Sequence, residues 1–248
     1  MELTTKFLFN LLLRIVKPEI VCDIGSMDGA DALRFKRILP ASQGLIFEAN
    51  PYNFAAICQD SVIKEKSILL FNEIVWNENC NKSFYIVKPS DIKGVDEHLR
   101  GTSSVFLRNA ESEKNRIQLR GVRLDSKISG LGALGNIALW IDVEGASYEV
   151  LEGIRGIRDR VKLIHAEVET QMVWKGQKTR SDVLALAESM GYVLLGHGRN
   201  KQQHDVVLID KDLFDSAPKT FKFITFMAFL KALPIKRLFK HFRKTINF

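Results

Sequence analysis

Two apolar segments of the chain carry ionisable residues at or just after their ends, and these residues are two positions apart. Asp142 and Glu144 come after IALWI, while His165, Glu167 and Glu169 end the segment KLIHAEVE. Residues at this spacing share one face of a strand, and burying an unpaired charge on that face is costly. We therefore predict an acid–base site in which Asp142 and Glu144 accept a substrate proton or position the substrate, with His165 or Glu167 as the second choice.

These residue types also allow other interpretations. Glu144 precedes the helical pattern SYEVLEGI, and acids near a helix start stabilise it, so this residue can act as a cap as well as a catalyst. A lone histidine in a strand is often a core residue. An acidic cluster can instead hold a divalent cation that lowers the pKa of a bound hydroxyl. The sequence leaves the metal undecided.

A glycine turn predicts a separate binding site. Asp23, Gly25, Ser26 and Gly29 follow the apolar segment IVCDIG and precede the helical pattern ADALRFKRIL. Glycine allows a sharp turn and a close approach of the backbone to a ligand, and the helix N-terminus offers free N–H groups. The spacing differs from the G-x-G-x-x-G of dinucleotide-binding folds, which disfavours an NAD(P)-dependent oxidoreductase.

The segment FEANP contains the residue expected to bind a ribose. Its Glu48 lies 19 residues after Gly29, and an acid at about this distance accepts ribose hydroxyls in nucleoside-binding folds. The alternative is a solvated loop acid. The order of strand, glycine turn, helix, strand and acid favours the first interpretation, so Glu48, Ala49 and Asn50 join the predicted cofactor site.

The elements that must position these residues are short apolar segments alternating with helical patterns. This alternation predicts a Rossmann-like, doubly wound α/β fold with a mostly parallel sheet. Two final segments, 192–198 and 204–210, predict a closing antiparallel hairpin, and 77–124 predicts an insertion with a hairpin at 82–87 and a mobile loop. In such sheets ligands bind beyond the carboxyl ends of the strands. The earlier predicted strands are 20–25, 44–49, 67–76, 137–143 and 162–168.

At these segments the chain resembles the FkbM family of methyltransferases. The resemblance rests on VCDIGSMDGAD, FEANP, VRLDS, IDVEGASYEVLEGI and HAEVE, covers about residues 18–210, and is most specific from Asp142 to Gly153. It implies a class I methyltransferase fold, binding of S-adenosylmethionine by the glycine turn and Glu48, and methyl transfer to a hydroxyl, often of a sugar. Two departures are Ser26-Met27-Asp28 in place of Ala-Asn, and Ser147-Tyr148-Glu149, which places the second acid one position later.

Length and composition predict one globular domain with an added segment at each end. The 248 residues are 46% hydrophobic and 26% charged, as in ordinary globular proteins. We predict an N-terminal helix at 1–17, in place of a signal peptide, a methyltransferase domain at 18–215 and a tail at 216–248. No apolar run approaches the ~20 residues of a transmembrane helix. Three scattered cysteines predict reduced core thiols and a cytoplasmic protein.

The net charge of +7 belongs to the tail. After Asp215 there are eight bases and no acid, so the remaining body is near neutral and nucleic-acid binding by the domain is disfavoured. Bases interleaved with Phe, Leu and Ile in residues 219–248 predict contact with an anionic membrane surface, peripheral at the inner face. Packing of the tail on the domain is the second alternative, and attraction to nucleic acid the third.

Together these features predict an S-adenosylmethionine-dependent O-methyltransferase that acts on a hydroxyl of a carbohydrate, either free or lipid-linked. The alternatives are a non-catalytic protein that keeps the nucleoside pocket as a binding module or scaffold, and an oxidoreductase, which the absent dinucleotide motif disfavours.

Overall fold

The computed structural model describes residues 4–86, 101–107, 115–198, 202–218 and 222. The strands of these residues are β1 (Ile20–Ile24), β2 (Gln43–Phe47), β3 (Leu69–Phe71), β4 (Ile74–Val75), β5 (Cys80–Tyr85), β6 (Arg116–Val122), β7 (Ile137–Ile141), β8 (Val161–Glu169), β9 (Tyr192–His197) and β10 (Gln203–Asp210). The helices are α1 (Thr5–Val16), α2 (Ala30–Ile38), α3 (Pro51–Gln59), α4 (Ser61–Glu65), α5 (Leu124–Gly130), α6 (Ser147–Glu152), α7 (Arg180–Ser189) and α8 (Lys211–Ser216), with a 3₁₀ helix at Arg155–Arg160.

Seven strands form the central sheet in the order β3-β2-β1-β7-β8-β10-β9. The strands β3, β2, β1, β7 and β8 pair in parallel, and β10 runs antiparallel to both of its neighbours. The buried central strands consist of Val, Ile, Leu and Ala with few polar residues, as parallel strands covered on both faces require. The predicted doubly wound sheet with a closing antiparallel hairpin is confirmed.

Both faces of the sheet are covered by helices. On one face, α6 and α7 bury Val150, Leu151 and Val183 against β1, β7 and β8. On the other face, α1 buries Leu8, Phe9, Leu12 and Leu13 against β7, β8 and β10. The four residues recur at helical spacing, which gives α1 one continuous apolar side. A helix therefore lies within the segment 1–17, and it is part of the domain core.

A second, three-stranded sheet corrects one strand prediction. The segment 67–76 was expected to be one strand, but it divides at Asn72-Glu73 into β3 in the central sheet and β4 in the second sheet. A change of sheet needs a bend, and the two polar residues provide it at the point where the apolar pattern is interrupted. In the second sheet, β6 pairs in parallel with β4 and antiparallel with β5.

The insertion is a hairpin whose partner lies farther along the chain than expected. The segment 82–87, predicted to form a hairpin, instead belongs largely to one strand, β5, which pairs with β6 across a long connection. The loop predicted between them falls largely on residues 87–100 and 108–114, outside the described residues. Apolar side chains of this sheet, among them Ile74, Trp76 and Phe84, pack together with Ala146. The second sheet thereby lies beside the turn that follows β7.

Three smaller predictions can also be compared with the structure. All three cysteines are free; Cys22 is a core residue, but Cys58 and Cys80 are half-buried. No helix of the described ranges is long and apolar enough to cross a bilayer. The tail at 219–248 lies outside the described residues apart from Lys222, whose ammonium group donates to the carbonyl oxygen of Asp215.

Candidate functional site

Three predicted site residues lie at the carboxyl ends of adjacent parallel strands. The N–H of Gly25 donates to the carbonyl of Phe47, and the N–H of Asp142 donates to the carbonyl of Ile24. The N–H of Glu48 donates in the same way to the carbonyl of Phe71. The ladder thus extends one residue beyond β1, β7 and β2, and it fixes all three residues along one edge, where ligands of such sheets bind.

A buried aspartate shapes the glycine turn from behind. Asp23 is 1% exposed, and its Oδ2 accepts from the hydroxyl of Ser26 at 2.6 Å and from the N–H of Ala32 at 3.0 Å. Burial raises the pKa of Asp23 to about 7. Gly29 is the N-cap of α2 with φ +80°, and a Cβ there would lie 2.4 Å from Ile63 Cδ1. These residues build the turn.

Glu48 connects the glycine turn to the start of α3. Its Oε2 accepts from the N–H of Met27 at 2.7 Å, and its Oε1 accepts from the N–H of Asn50 at 2.7 Å. Asn50 in turn caps α3 by accepting from the N–H of Tyr52. The carboxylate is therefore held rigidly in a defined orientation, and its remaining lone pairs can accept further hydrogen bonds.

A cleft of about 580 Å³, including its open mouth, lies at this edge of the sheet. Six of the eleven predicted site residues line it: Gly25, Glu48, Ala49, Asn50, Asp142 and Glu144. Asp23, Ser26, Gly29, His165 and Glu167 are not among its lining residues.

The cleft also contains residues that sequence reasoning missed. Asn53 is 1% exposed and follows Asn50 by one helical turn, so helical spacing could have identified it. Glu73 is the polar residue that interrupts the apolar segment 67–76. Ser104 donates its hydroxyl to the carbonyl of Glu144 at 2.6 Å, and neither Ser103 nor Ser104 has a local sequence signal.

Asp142 and Glu144 lie in a turn, which corrects the predicted strand 137–143. The strand β7 ends at Ile141, so the two carboxylates do not share a strand face. The helix-capping alternative for Glu144 is also wrong, because the N-cap of α6 is Ala146 and its first-turn acid is Glu149. A left-handed Gly145, with φ +77°, reverses the chain between Glu144 and the helix. Both acids line the cleft from this turn.

Carboxylates from three adjacent strands form a row beside the cleft. Ile141 pairs with Ala166, which places Asp142 next to Glu167, and Glu167 pairs with Asp205 of β10. The Asp142 side chain is open to solvent through the cleft, although protein atoms surround most of this residue. Burial, together with repulsion from neighbouring carboxylates, raises the pKa of both Asp142 and Glu167. Like charges in direct cross-strand contact are destabilising, so this row costs the fold stability.

His165 lies in the core under α1, away from the cleft. It is 2% exposed, and its ring stacks on Trp140 with centroids 3.5 Å apart and contacts Phe9 edge-on. Burial lowers the pKa of His165 well below its usual range, so the imidazole is neutral at pH 7. The structure does not bring His165 to the site that Asp142 and Glu144 line.

Glu149, the acid that lies one position later than in the commoner family pattern, is a buried carboxylate that does not line the cleft. It is 7% exposed, and its Oε2 has no hydrogen-bond partner among the described residues. Burial is the main reason that its pKa rises to about 7 from an ordinary 4.5. The folded protein therefore takes up a proton that the unfolded chain lacks between these two pH values.

We expect Glu149→Gln to change how stability depends on pH. A raised folded-state pKa means that stability falls as pH rises from about 4.5 to 7. The variant should match the wild type near pH 4.5 and be more stable by about 1–3 kcal/mol at pH 8. Urea unfolding at several pH values measures this difference. Equal stability of the two proteins at pH 8 would mean that burying the charged Glu149 carboxylate does not destabilise the fold.

Comparisons with known proteins agree with this architecture. A family profile described as "Methyltransferase FkbM domain" matches residues 23–194. A curated protein named 2-O-methyltransferase NoeI, from Sinorhizobium fredii, is 28% identical over 185 residues, which are 71% of this chain and 74% of NoeI.

Solved structures are similar at lower identity. The N-terminal domain of EvdMO1 with SAH bound is 12% identical, with a TM-score of 0.43, over 81% of this chain and 77% of that one. The chain spans only 38% of the longer EvdMO1 structure. A precorrin-6y C5,15-methyltransferase from Geobacter metallireducens is 11% identical, with a TM-score of 0.41, over 84% of this chain and 90% of that one.

Proposed function

The chain belongs to the FkbM family of S-adenosylmethionine-dependent methyltransferases, and from this we propose that it transfers a methyl group to a hydroxyl of a carbohydrate. The observation that carries the proposal is the cleft itself. Gly25 and Glu48 line it from two strand ends, and Asp142 and Glu144 line it from the turn after β7. A donor site and a proton acceptor thus share one cavity.

The residues Gly25 and Glu48 fit S-adenosylmethionine. Gly25 lines the cleft without a side chain, and the Glu48 carboxylate borders the same space, where a carboxylate can accept from ribose hydroxyls. Asn50 and Asn53 add amide groups nearby, which can hydrogen-bond the polar edge of a nucleoside. When bound, the cofactor supplies an electrophilic methyl group on a sulfonium sulfur.

The carboxylates of Asp142 and Glu144 support the proton transfer. As the hydroxyl oxygen bonds to the methyl carbon, the carbon–sulfur bond breaks and the hydroxyl proton must leave. Asp142 is fixed by its backbone hydrogen bond to Ile24 and is accessible from the cleft, so its carboxylate can accept this proton. Glu144 lies two residues further in the same turn and can orient the hydroxyl. Positioned groups of this kind typically accelerate proton transfer about 10²–10⁴-fold.

Two features support an oxygen acceptor on a sugar. The relative NoeI is named a 2-O-methyltransferase, so that protein methylates oxygen. The cleft wall combines carboxylate and hydroxyl side chains, Glu73, Glu144 and Ser103, with the aromatic ring of Phe84. A polyhydroxylated ring presents many donors and acceptors and an apolar face, which such a wall complements.

The experiment that tests the function traces a labelled methyl group. The purified protein is incubated with methyl-labelled S-adenosylmethionine and acceptor mixtures of free sugars, oligosaccharides, glycolipids, proteins and small amines. We expect label on carbohydrate hydroxyls, located by mass spectrometry and NMR, with an equal amount of S-adenosylhomocysteine formed. Label on nitrogen or on protein instead would contradict the carbohydrate assignment, and S-adenosylmethionine binding without transfer would favour the non-catalytic binding module.

We expect Glu48→Ala to weaken S-adenosylmethionine binding by about 1–3 kcal/mol, because the ribose hydroxyls lose a charged acceptor. The same change removes the acceptor of the Met27 and Asn50 amides. Calorimetry measures the affinity, and Glu48→Gln is the matched control, since it keeps one oxygen and should lose less. Unchanged affinity in Glu48→Ala would refute the ribose assignment.

A peripheral membrane contact of the tail at 219–248 is a second proposal, based on its eight bases without an acid. We expect the full chain to sediment with anionic vesicles at low salt and a truncation after Asp215 to stay in the supernatant, since each base adds about 1 kcal/mol near such a surface. High salt should release the full chain. Intact protein that stays in the supernatant at low salt would contradict the proposal and favour packing of the tail on the domain.

A further inference from the structure

Three glutamates converge at the end of β8, next to the cleft. Glu167 and Glu169 belong to β8, and Glu144 lies in the turn after β7. One carboxylate oxygen from each residue lies within 4.8 Å of the other two. Glu144 also lines the cleft, so the three residues, which we call the glutamate cluster, adjoin the proposed acceptor side.

Glu169 has an oxygen without a hydrogen-bond partner in a buried position. The residue is 2% exposed, and its Oε2 accepts from Gln177 Nε2 at 3.0 Å. Gln177 is itself fixed, because its own oxygen accepts from the N–H groups of Val173 and Trp174. The backbone N–H of Gly145 also favours the charged form of this carboxylate, and the other oxygen, Oε1, has no hydrogen-bond partner of good geometry among the described residues. A buried carboxylate oxygen in this state is costly unless a ligand satisfies it.

Neutral side chains orient the carboxylates of Glu167 and Glu169. Gln203 donates its amide to Oε1 of Glu167 at 2.6 Å, as Gln177 does to Glu169. Within the described ranges, no Lys or Arg nitrogen lies within 4 Å of Glu167 or Glu169. Neutral donors that orient carboxylate ligands are typical of the outer shell of metal sites.

We propose that a hard divalent cation, Mg²⁺ or Mn²⁺, binds at Glu144, Glu167 and Glu169. Carboxylate oxygens are the donors that these ions prefer. With metal–oxygen distances of about 2.1 Å, ligand oxygens of an octahedral ion are about 3.0 Å apart at right angles and about 4.2 Å apart when opposite. The observed separations allow this geometry after small side-chain movements. Three protein donors suit an ion that keeps several waters better than Ca²⁺, which takes six to eight ligands.

The position of the cluster gives the ion a role beside the proposed reaction. Because Glu144 belongs to both the cluster and the cleft wall, one of the remaining ligand positions can face the cleft and receive a substrate oxygen. A hydroxyl bound there loses its proton more easily. This role rests on the proposed function, but cation binding does not, and the two are measured separately.

The test titrates Mn²⁺ into the full chain after treatment with a chelator and follows the free ion by electron paramagnetic resonance. We expect one bound Mn²⁺ per chain, displaced by excess Mg²⁺. Glu167→Gln and Glu169→Gln should each weaken binding at least about tenfold, since even outer-shell changes can cost this much. Mn²⁺ should raise the melting temperature of the wild type and not that of the two variants.

Glu149→Gln is the matched control, because Glu149 is also a buried carboxylate with an unpartnered oxygen but lies outside the cluster. It should bind Mn²⁺ as the wild type does. The proposal is overturned if the wild type binds no Mn²⁺ at about millimolar concentration, or if both cluster variants bind with unchanged affinity. Cation binding without methyl transfer would support the site and contradict only the proposed function.

Discussion

Gly25→Val should abolish S-adenosylmethionine binding, lowering affinity by at least about 100-fold. A Cβ at this position would lie 2.0 Å from the carbonyl oxygen of Asp142, and φ is +84°. The carbonyl cannot retreat easily, because the N–H of Asp142 is bonded to Ile24 of β1. Left-handed strain and overpacking each cost about 1–3 kcal/mol, and most of their combined range of about 2–6 kcal/mol lies above the ~2.7 kcal/mol of a 100-fold loss.

Two alanine variants distinguish the cost of a side chain in a left-handed backbone conformation from the cost of a steric clash. Gly132 also has a left-handed φ, +61°, but nothing lies within 4 Å of the Cβ that alanine would add. Gly132→Ala should therefore keep its affinity in calorimetry, and Gly25→Ala should lose much of it. Circular dichroism reports whether each variant folds. A folded Gly25→Val protein that binds S-adenosylmethionine normally would show that this turn is not the cofactor loop.

Asp142→Asn and Glu144→Gln should reduce methyl transfer about 10²–10⁴-fold, the usual contribution of a general base. Each change removes a charge at nearly constant size, and the affinity for S-adenosylmethionine should change by no more than about threefold because Gly25 and Glu48 are untouched. Single-turnover kinetics measure the transfer step, and calorimetry measures the affinity. An effect on kcat alone identifies an interaction made in the transition state.

Asp205→Asn is the control for the loss of one negative charge from the carboxylate row. Asp205 belongs to β10, pairs with Glu167 and accepts from the hydroxyl of Thr5, but it does not line the cleft. Its loss should change turnover far less than the loss of Asp142. Full turnover in both Asp142→Asn and Glu144→Gln would show that these acids have no role in proton transfer and only shape the turn.

The sequence by itself determined the fold class and the position of Gly25 and Glu48 at the edge of the sheet where the cleft lies. Hydrophobic periodicity and the order of segments predicted the parallel sheet and its closing hairpin, because each strand's apolar pattern is local. The glycine turn and Glu48 follow their strands directly, so their placement at the carboxyl ends came from the same pattern. Asp142 and Glu144 follow the apolar segment IALWI in the same way, and this position predicted them as site residues.

Only the tertiary structure decided which polar residues meet. His165 and Glu167 are two residues apart and equivalent in the sequence pattern, yet α1 covers His165 while Glu167 lies beside Asp142. Glu73 and Ser104 enter the cleft because the second sheet packs beside the turn after β7.

The glutamate cluster depends on the tertiary structure in the same way. It joins a turn after β7 to the end of β8. Such contacts depend on strand order, register and the helix that covers each face, and these are set by packing between segments far apart in the chain, so no local pattern contains them.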